Sequence, residues 1–127
     1  MRLRLQRRQR RYDTHGLTPF ERAVLRFNTS DARHTVEGLS RTLGEATVSV
    51  GAAAGAADEI RITVAWELTW YQWGVDLGDE SREVYERAQG KLIGQLDAAA
   101  RQWNASLVEG GRIVLVAPRR RPGGRRR

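Results

Sequence analysis

The chain has 127 residues, a net charge of +7, 40% hydrophobic residues and no cysteine. That length suits one domain, and the missing thiols exclude disulfide staples, zinc–thiolate sites, iron–sulfur clusters and cysteine nucleophiles. No apolar run approaches the roughly 18 residues needed to cross a bilayer, and no apolar stretch follows the basic opening MRLRLQRRQRRYDTHG as it would in an export signal. The expectation is a soluble cytoplasmic protein with no membrane contact.

The charge is unevenly placed. Arg2, Arg4, Arg7, Arg8, Arg10 and Arg11 precede the first acid, and Arg119, Arg120, Arg121, Arg125, Arg126 and Arg127 follow the last one. Residues 13–118 hold the other ten basic residues against all fifteen acids, a net charge of −5. The composition therefore predicts three parts: a disordered basic tail over 1–16, one α+β domain over 17–118, and a second disordered basic tail over 119–127. Arginine tails attract phosphate without reading sequence, so Arg7, Arg8, Arg10, Arg11, Arg119, Arg120 and Arg121 are the candidate nucleic-acid contacts. Twenty-one of the twenty-two basic residues are arginine, a ratio that a GC-rich coding sequence also yields.

Within the domain, the first element LTPFERAVLRFN has two readings. Thr18, Pro19 and Glu21 match a capping box with proline at the first helical position. Against this, RAVLRF reads as a strand with Leu25 and Phe27 inward, joined by NTSD to the next element, and the short connection favours the strand. Ala32, Val36, Leu39 and Leu43 then form a helical stripe that Ser30 or Asp31 can cap and Gly44 can end. ATVSV reads as a strand with Val48 and Val50 on one face, and GAAAGAAD as a loop.

The most aromatic stretch follows. Ile60, Ile62, Val64, Trp66, Leu68 and Trp70 alternate with polar or small residues, the period of a half-buried strand eleven residues long. After Trp70 the phase inverts, and Tyr71, Trp73, Val75 and Leu77 carry the apolar side chains. A one-residue shift in a period of two exchanges the faces. A bulge near Trp70–Tyr71 would return both sets to the core, whereas an unbroken strand would leave Tyr71 and Trp73 on the far face, in need of a cover or a partner. REVYERA is expected to return as a partner strand after LGDES. Leu92, Leu96, Ala99 or Ala100, and Trp103 mark a second amphipathic helix, weakened by Gly94, and ASLVEGGRIVLVAP reads as a hairpin about EGG closed by Pro118. The fold class is thus α+β, a small antiparallel or mixed sheet packed against two helices on one face. A ferredoxin-like order with an extra hairpin is one topology that fits.

Motifs for catalysis are missing from the sequence. Asp31, His34 and Glu37 span about 120° of one helix and read as a solvated face. Ser40 with His34 lacks a nucleophile elbow, and Glu80, Glu83 and Glu86 do not share one face of a hairpin. GAAAG lacks the lysine and hydroxyl of a phosphate loop. The sequence therefore points to a non-enzymatic protein with no catalytic residues, no cofactor and no metal. Its leading role is that of a protein-interaction or accessory module, with a protein partner or self-association. Tyr71 and Trp73 are the candidate partner contacts, because tyrosine and tryptophan dominate interface hot spots. The alternative is a nucleic-acid binder that uses the arginine tails and an aromatic sheet face, with Arg61 and Arg82 as the basic groups nearest that platform.

Overall fold

A computed structural model describes residues 16–53, 55–56 and 58–116. Both arginine tails, apart from Gly16, lie outside the described residues, as does Pro118. Among those described, two helices precede six strands: α1 (Pro19–Asn28), α2 (Asp31–Leu43), β1 (Thr47–Ala52), β2 (Glu59–Trp66), β3 (Thr69–Asp76), β4 (Tyr85–Gly90), β5 (Ala105–Val108) and β6 (Arg112–Leu115). The strands form one antiparallel sheet in the order β4-β3-β2-β1-β5-β6. This is the expected α+β class, but with a helical pair, a four-strand meander and a crossover rather than a ferredoxin-like order.

The first element is a helix, and its capping chemistry explains why. Thr18 Oγ1 accepts from the Glu21 N–H at 3.1 Å, and Glu21 Oε1 accepts from the Thr18 N–H at 2.8 Å. Pro19 occupies the first helical position, where its missing N–H costs nothing. The strand reading of 20–28 is thereby corrected: Ala23, Val24 and Phe27 are buried, while Leu25 points away at 48% exposure. In α2, Ser30 Oγ accepts from the Ala32 N–H, and Gly44 ends the helix at φ +88°. Ala32 and Val36 are buried, Leu39 is partly so, and Leu43 lies at the exposed end of the stripe.

The phase inversion at Trp70 has a third explanation. β2 stops at Trp66, Glu67 and Leu68 make a two-residue turn, and β3 starts at Thr69. Trp66 pairs with Thr69, Val64 with Tyr71, Ile62 with Trp73 and Ile60 with Val75. Even residues of β2 therefore share a face with odd residues of β3. The alternation through Trp70 is coincidental, because Leu68 is a turn residue and is largely exposed. A register shift does occur in this region, but it lies between β3 and β4, after Gln72.

The helix-facing side of the sheet forms the main core. Phe27 and Val36 pack there on Val48, Val50, Ile62, Val64, Trp66, Trp73 and Ile113. The opposite side is covered by residues 91–104, which cross behind the sheet from β4 to β5. The apolar stripe in this segment predicts a second amphipathic helix, but the chain makes two 3-10 turns instead, Ile93–Gln95 and Ala98–Arg101. Side chains compete with helical hydrogen bonding at both turns. Gln95 Oε1 accepts from the Lys91 and Leu92 N–H groups, and Asp97 caps the second turn by accepting from the Ala100 N–H. Leu96 and Ala100 are buried against Ala65 and Trp70, while Leu92 stays exposed.

Two asparagines complete strands by imitating a neighbouring backbone. Asn28 accepts from the Ile113 N–H at 2.8 Å and donates to the Ile113 carbonyl at 2.9 Å. Asn104 makes the same pair of bonds to Val50, at 2.8 and 2.9 Å. The first covers part of the β6 edge, which would otherwise present unpaired groups to another chain.

Denaturation separates the two readings of α1. Phe27→Ala should cost about 3–5 kcal/mol by emptying the core beneath the helix, and Leu25→Ala should stay within about 0.5 kcal/mol. Comparable losses at both positions would mean that Leu25 also faces the core, as in a strand.

Candidate functional site

The aromatic stretch resolves into two groups separated by the sheet. Trp66, Tyr71 and Trp73 face the helices. Phe27 meets Trp73 edge-on at 5.6 Å, Tyr71 stacks on Trp73 at 5.8 Å, and Trp66 meets Tyr71 edge-on at 6.2 Å. Trp66 Nε1 donates to the Gly44 carbonyl, tying the end of α2 to β2. Trp70 faces the crossover, and its Nε1 donates to the Leu92 carbonyl. Trp73 is 3% exposed, so as a partner contact it has almost no surface to offer. Tyr71 is half-buried against the same core. Since Trp66 and Trp70 are buried as well, this strand presents no open indole on which a base could stack.

The charged groups near these aromatics are tied to other parts of the protein. Arg61 is buried and makes a two-pronged ion pair with Asp97, Nη2 to Oδ1 at 2.9 Å and Nη1 to Oδ2 at 3.3 Å. It is therefore a support for the crossover, not a free phosphate contact. That guanidinium, with the Ala100 N–H, holds the Asp97 carboxyl below its usual range. Arg82 lies over the Tyr85 ring, 4.3 Å from its centroid, and Tyr85 donates its hydroxyl proton to Glu59. That bond favours the neutral phenol and raises the tyrosine pKa. From α1, Arg26 donates to the Asp76 and Arg82 carbonyls at 2.6 Å each, and Arg22 lies 3.7 Å from Glu80. These arginines hold the β3–β4 loop.

The residues weighed for catalysis or metal binding do not converge. His34 is exposed and 4.0 Å from Glu37, and no three potential ligands gather among the described residues. Glu80, Glu83 and Glu86 are all exposed. A polar cleft of about 430 Å³ separates the α1–α2 junction from the β3–β4 loop, and Arg26 and Arg82 in its wall are engaged as described.

A second cleft, of about 490 Å³, opens where the sheet splits. β1 and β5 pair only at Val48↔Ala105. Continuing that register would bring Ala46 opposite Leu107, but β1 has not yet begun and no hydrogen bond joins them. In β5, Ser106 and Val108 direct their backbone groups toward β6, so those of Leu107 point into the split. Ser40, Glu45, Thr47, Trp103, Ser106 and Val108 line the opening, and Glu45 carries the only charge among the lining residues.

Two features mark this cleft as unlike the rest of the surface. Ser40, one of the lining residues, has its Oγ buried with no hydrogen-bond partner among the described residues, which for a hydroxyl costs about 1–3 kcal/mol. Trp103 has φ +47°, the only positive φ among non-glycine residues of the described chain. For a bulky side chain such a conformation costs about 1–3 kcal/mol and concentrates at functional positions. The Trp103 N–H donates to Ser49 Oγ at 2.7 Å, which holds the turn.

Beyond the cleft, the back face of β5 and β6 lies past the end of the crossover. Val108 is partly exposed there, and Val114 and Val116 are each 50% exposed; Trp103, 36% exposed, lines the same cleft as Val108. Sequence reasoning missed this region because it placed Trp103 on a helix and because a broken ladder leaves no trace in local periodicity. The chain matches no protein-family model, and no curated protein or solved structure is significantly similar to it.

The Arg61–Asp97 pair sets an acid dependence. A carboxyl whose pKa is depressed on folding contributes stability above its unfolded value, about 4, and loses it as pH falls through the folded value. Asp97→Asn should therefore be less stable than the parent at pH 7. The gap, measured by urea melts, should close as the pH is taken below about 4; a gap independent of pH would remove the ion pair as its cause.

Proposed function

We propose that this protein is a non-catalytic interaction module whose contact surface is the end of the sheet that the described residues leave uncovered, on the back of β5 and β6. The observation that carries this reading is that strand register puts Val108, Val114 and Val116, all exposed, on one face, and that Val108 and the exposed Trp103 both line the split between β1 and β5. Leu25 and Leu43 are exposed on α1 and α2, and Leu68 and Leu92 near the β2–β3 turn and the end of β4. An apolar group rimmed by polar residues is the usual form of a protein contact site, and tryptophan is enriched among the residues that contribute most to such contacts. This reading assigns the contact to different residues from Tyr71 and Trp73.

The nucleic-acid alternative rests on the arginine tails, outside the described residues. Within the domain it draws no support from Arg61, which is paired to Asp97, or from the buried indoles.

A photo-cross-linking amino acid at position 114, introduced into the full chain in its native cells, tests the reading. It should give discrete protein adducts that the same group at position 25, equally exposed on α1, does not. Adding Val116→Glu, a charge on the same face, should remove them. Adducts of equal yield at positions 114 and 25 would show that the back of β5 and β6 is ordinary surface.

A further inference from the structure

The split between β1 and β5 has a chemistry more specific than an apolar patch. Its two walls present main-chain groups in strand register, those of Ala46 and Leu107, with no hydrogen bond between them. An open strand edge of this kind is complemented by another extended backbone, which supplies a donor and an acceptor at matching spacing. Side chains of such a segment alternate between the two faces of the sheet. On the back face they would meet the Trp103 indole and Val108, and on the helix side the space beside Ser40.

Charge narrows the occupant. Among the described residues, Glu45 alone of those lining the cleft is charged. A basic segment has Glu45 to pair with, and an acidic one has no cation among the described lining residues. We infer that the split between β1 and β5 binds a short extended segment of a partner protein, in which apolar residues pack on Trp103 and alternate with basic ones. The segment adds to the exposed edge of β5 through Leu107. This rests on the interaction reading above and names the kind of partner. The residue with the positive φ, Trp103, is thus one of those that would meet the segment.

The test uses the full chain and two synthetic eight-residue peptides, one alternating leucine with arginine and the other leucine with glutamate. Amide and indole resonances are followed by two-dimensional NMR. The leucine–arginine peptide should shift the Ala46 and Leu107 amides and the Trp103 indole saturably, and the leucine–glutamate peptide should not. Trp103→Ala should weaken that binding at least tenfold. Because this change also alters a strained turn, Ser40→Leu, which fills the cleft from the helix side, serves as the second variant and should weaken it similarly. Retained amide dispersion confirms that each variant is folded.

Several results would overturn the proposal. One is the absence of saturable shifts at Ala46 and Leu107; another is binding unchanged by both substitutions. A third is protection of the two amides in a dimer of the protein alone, seen by light scattering, which would make a second copy the occupant. Cross-links at position 114 without any peptide response would refute the split as the site and leave the broader interaction reading standing.

Discussion

Glu67 and Leu68 turn the chain between β2 and β3, and most of the core depends on the register they set. A two-residue turn pairs Trp66 with Thr69 and so puts even residues of one strand beside odd residues of the next. Ile60, Ile62, Val64 and Trp66 are thereby joined on one face by Tyr71, Trp73 and Val75. That face supplies the surface on which Phe27 and Val36 of the two helices pack. A shift of one residue would send Tyr71 and Trp73 to the crossover side and bring Trp70 and Gln72 beneath the helices.

The opposite face is finished by different means. Arg61, Thr63 and Gln72 are buried there, so the cover must satisfy polar groups as well as exclude water. Asp97 meets Arg61, Thr63 accepts from Gln72 at 3.0 Å, and Trp70 donates to the Leu92 carbonyl. These fixed polar contacts are easier to reconcile with two short turns than with one continuous helix, because Asp97 both caps a turn and holds the arginine. The cover ends near Trp103. Past it, the asparagine at 104 completes β1 at Val50, and β1 and β5 then separate. The candidate site is where the cover stops and the ladder breaks.

How far this was legible varies with the range of the interaction. The α2 stripe, the Val48 and Val50 strand and the EGG hairpin are short-period signals between neighbours, and each appears in the structure. The capping box at Thr18 and Glu21 was also legible, and its specific pair of hydrogen bonds outweighs the loop-length argument for a strand. The span 60–70 misled because Leu68, a turn residue, happened to continue the alternation. The span 92–103 misled because a helical stripe records which side chains are apolar and says nothing of Asp97 bonding to a strand 36 residues earlier. None of the candidate site was legible: Ala46, Leu107 and Trp103 are brought together only by the order of strands.

The sequence by itself determined the class of fold, the acidic character of residues 13–118 and the lack of any thiol chemistry, since each follows from composition or from contacts within a few residues. Only the tertiary structure decided that Trp66 and Trp70 lie on opposite faces, that Arg61 is used to hold the crossover, and that residues 91–104 stop short of the β5–β6 end of the sheet. The physical reason is the same in each case. Strand pairing and the passage of residues 91–104 behind the sheet join residues distant in the chain, and their register is set by burial and hydrogen bonding across the whole sheet, not by the local pattern of any one segment.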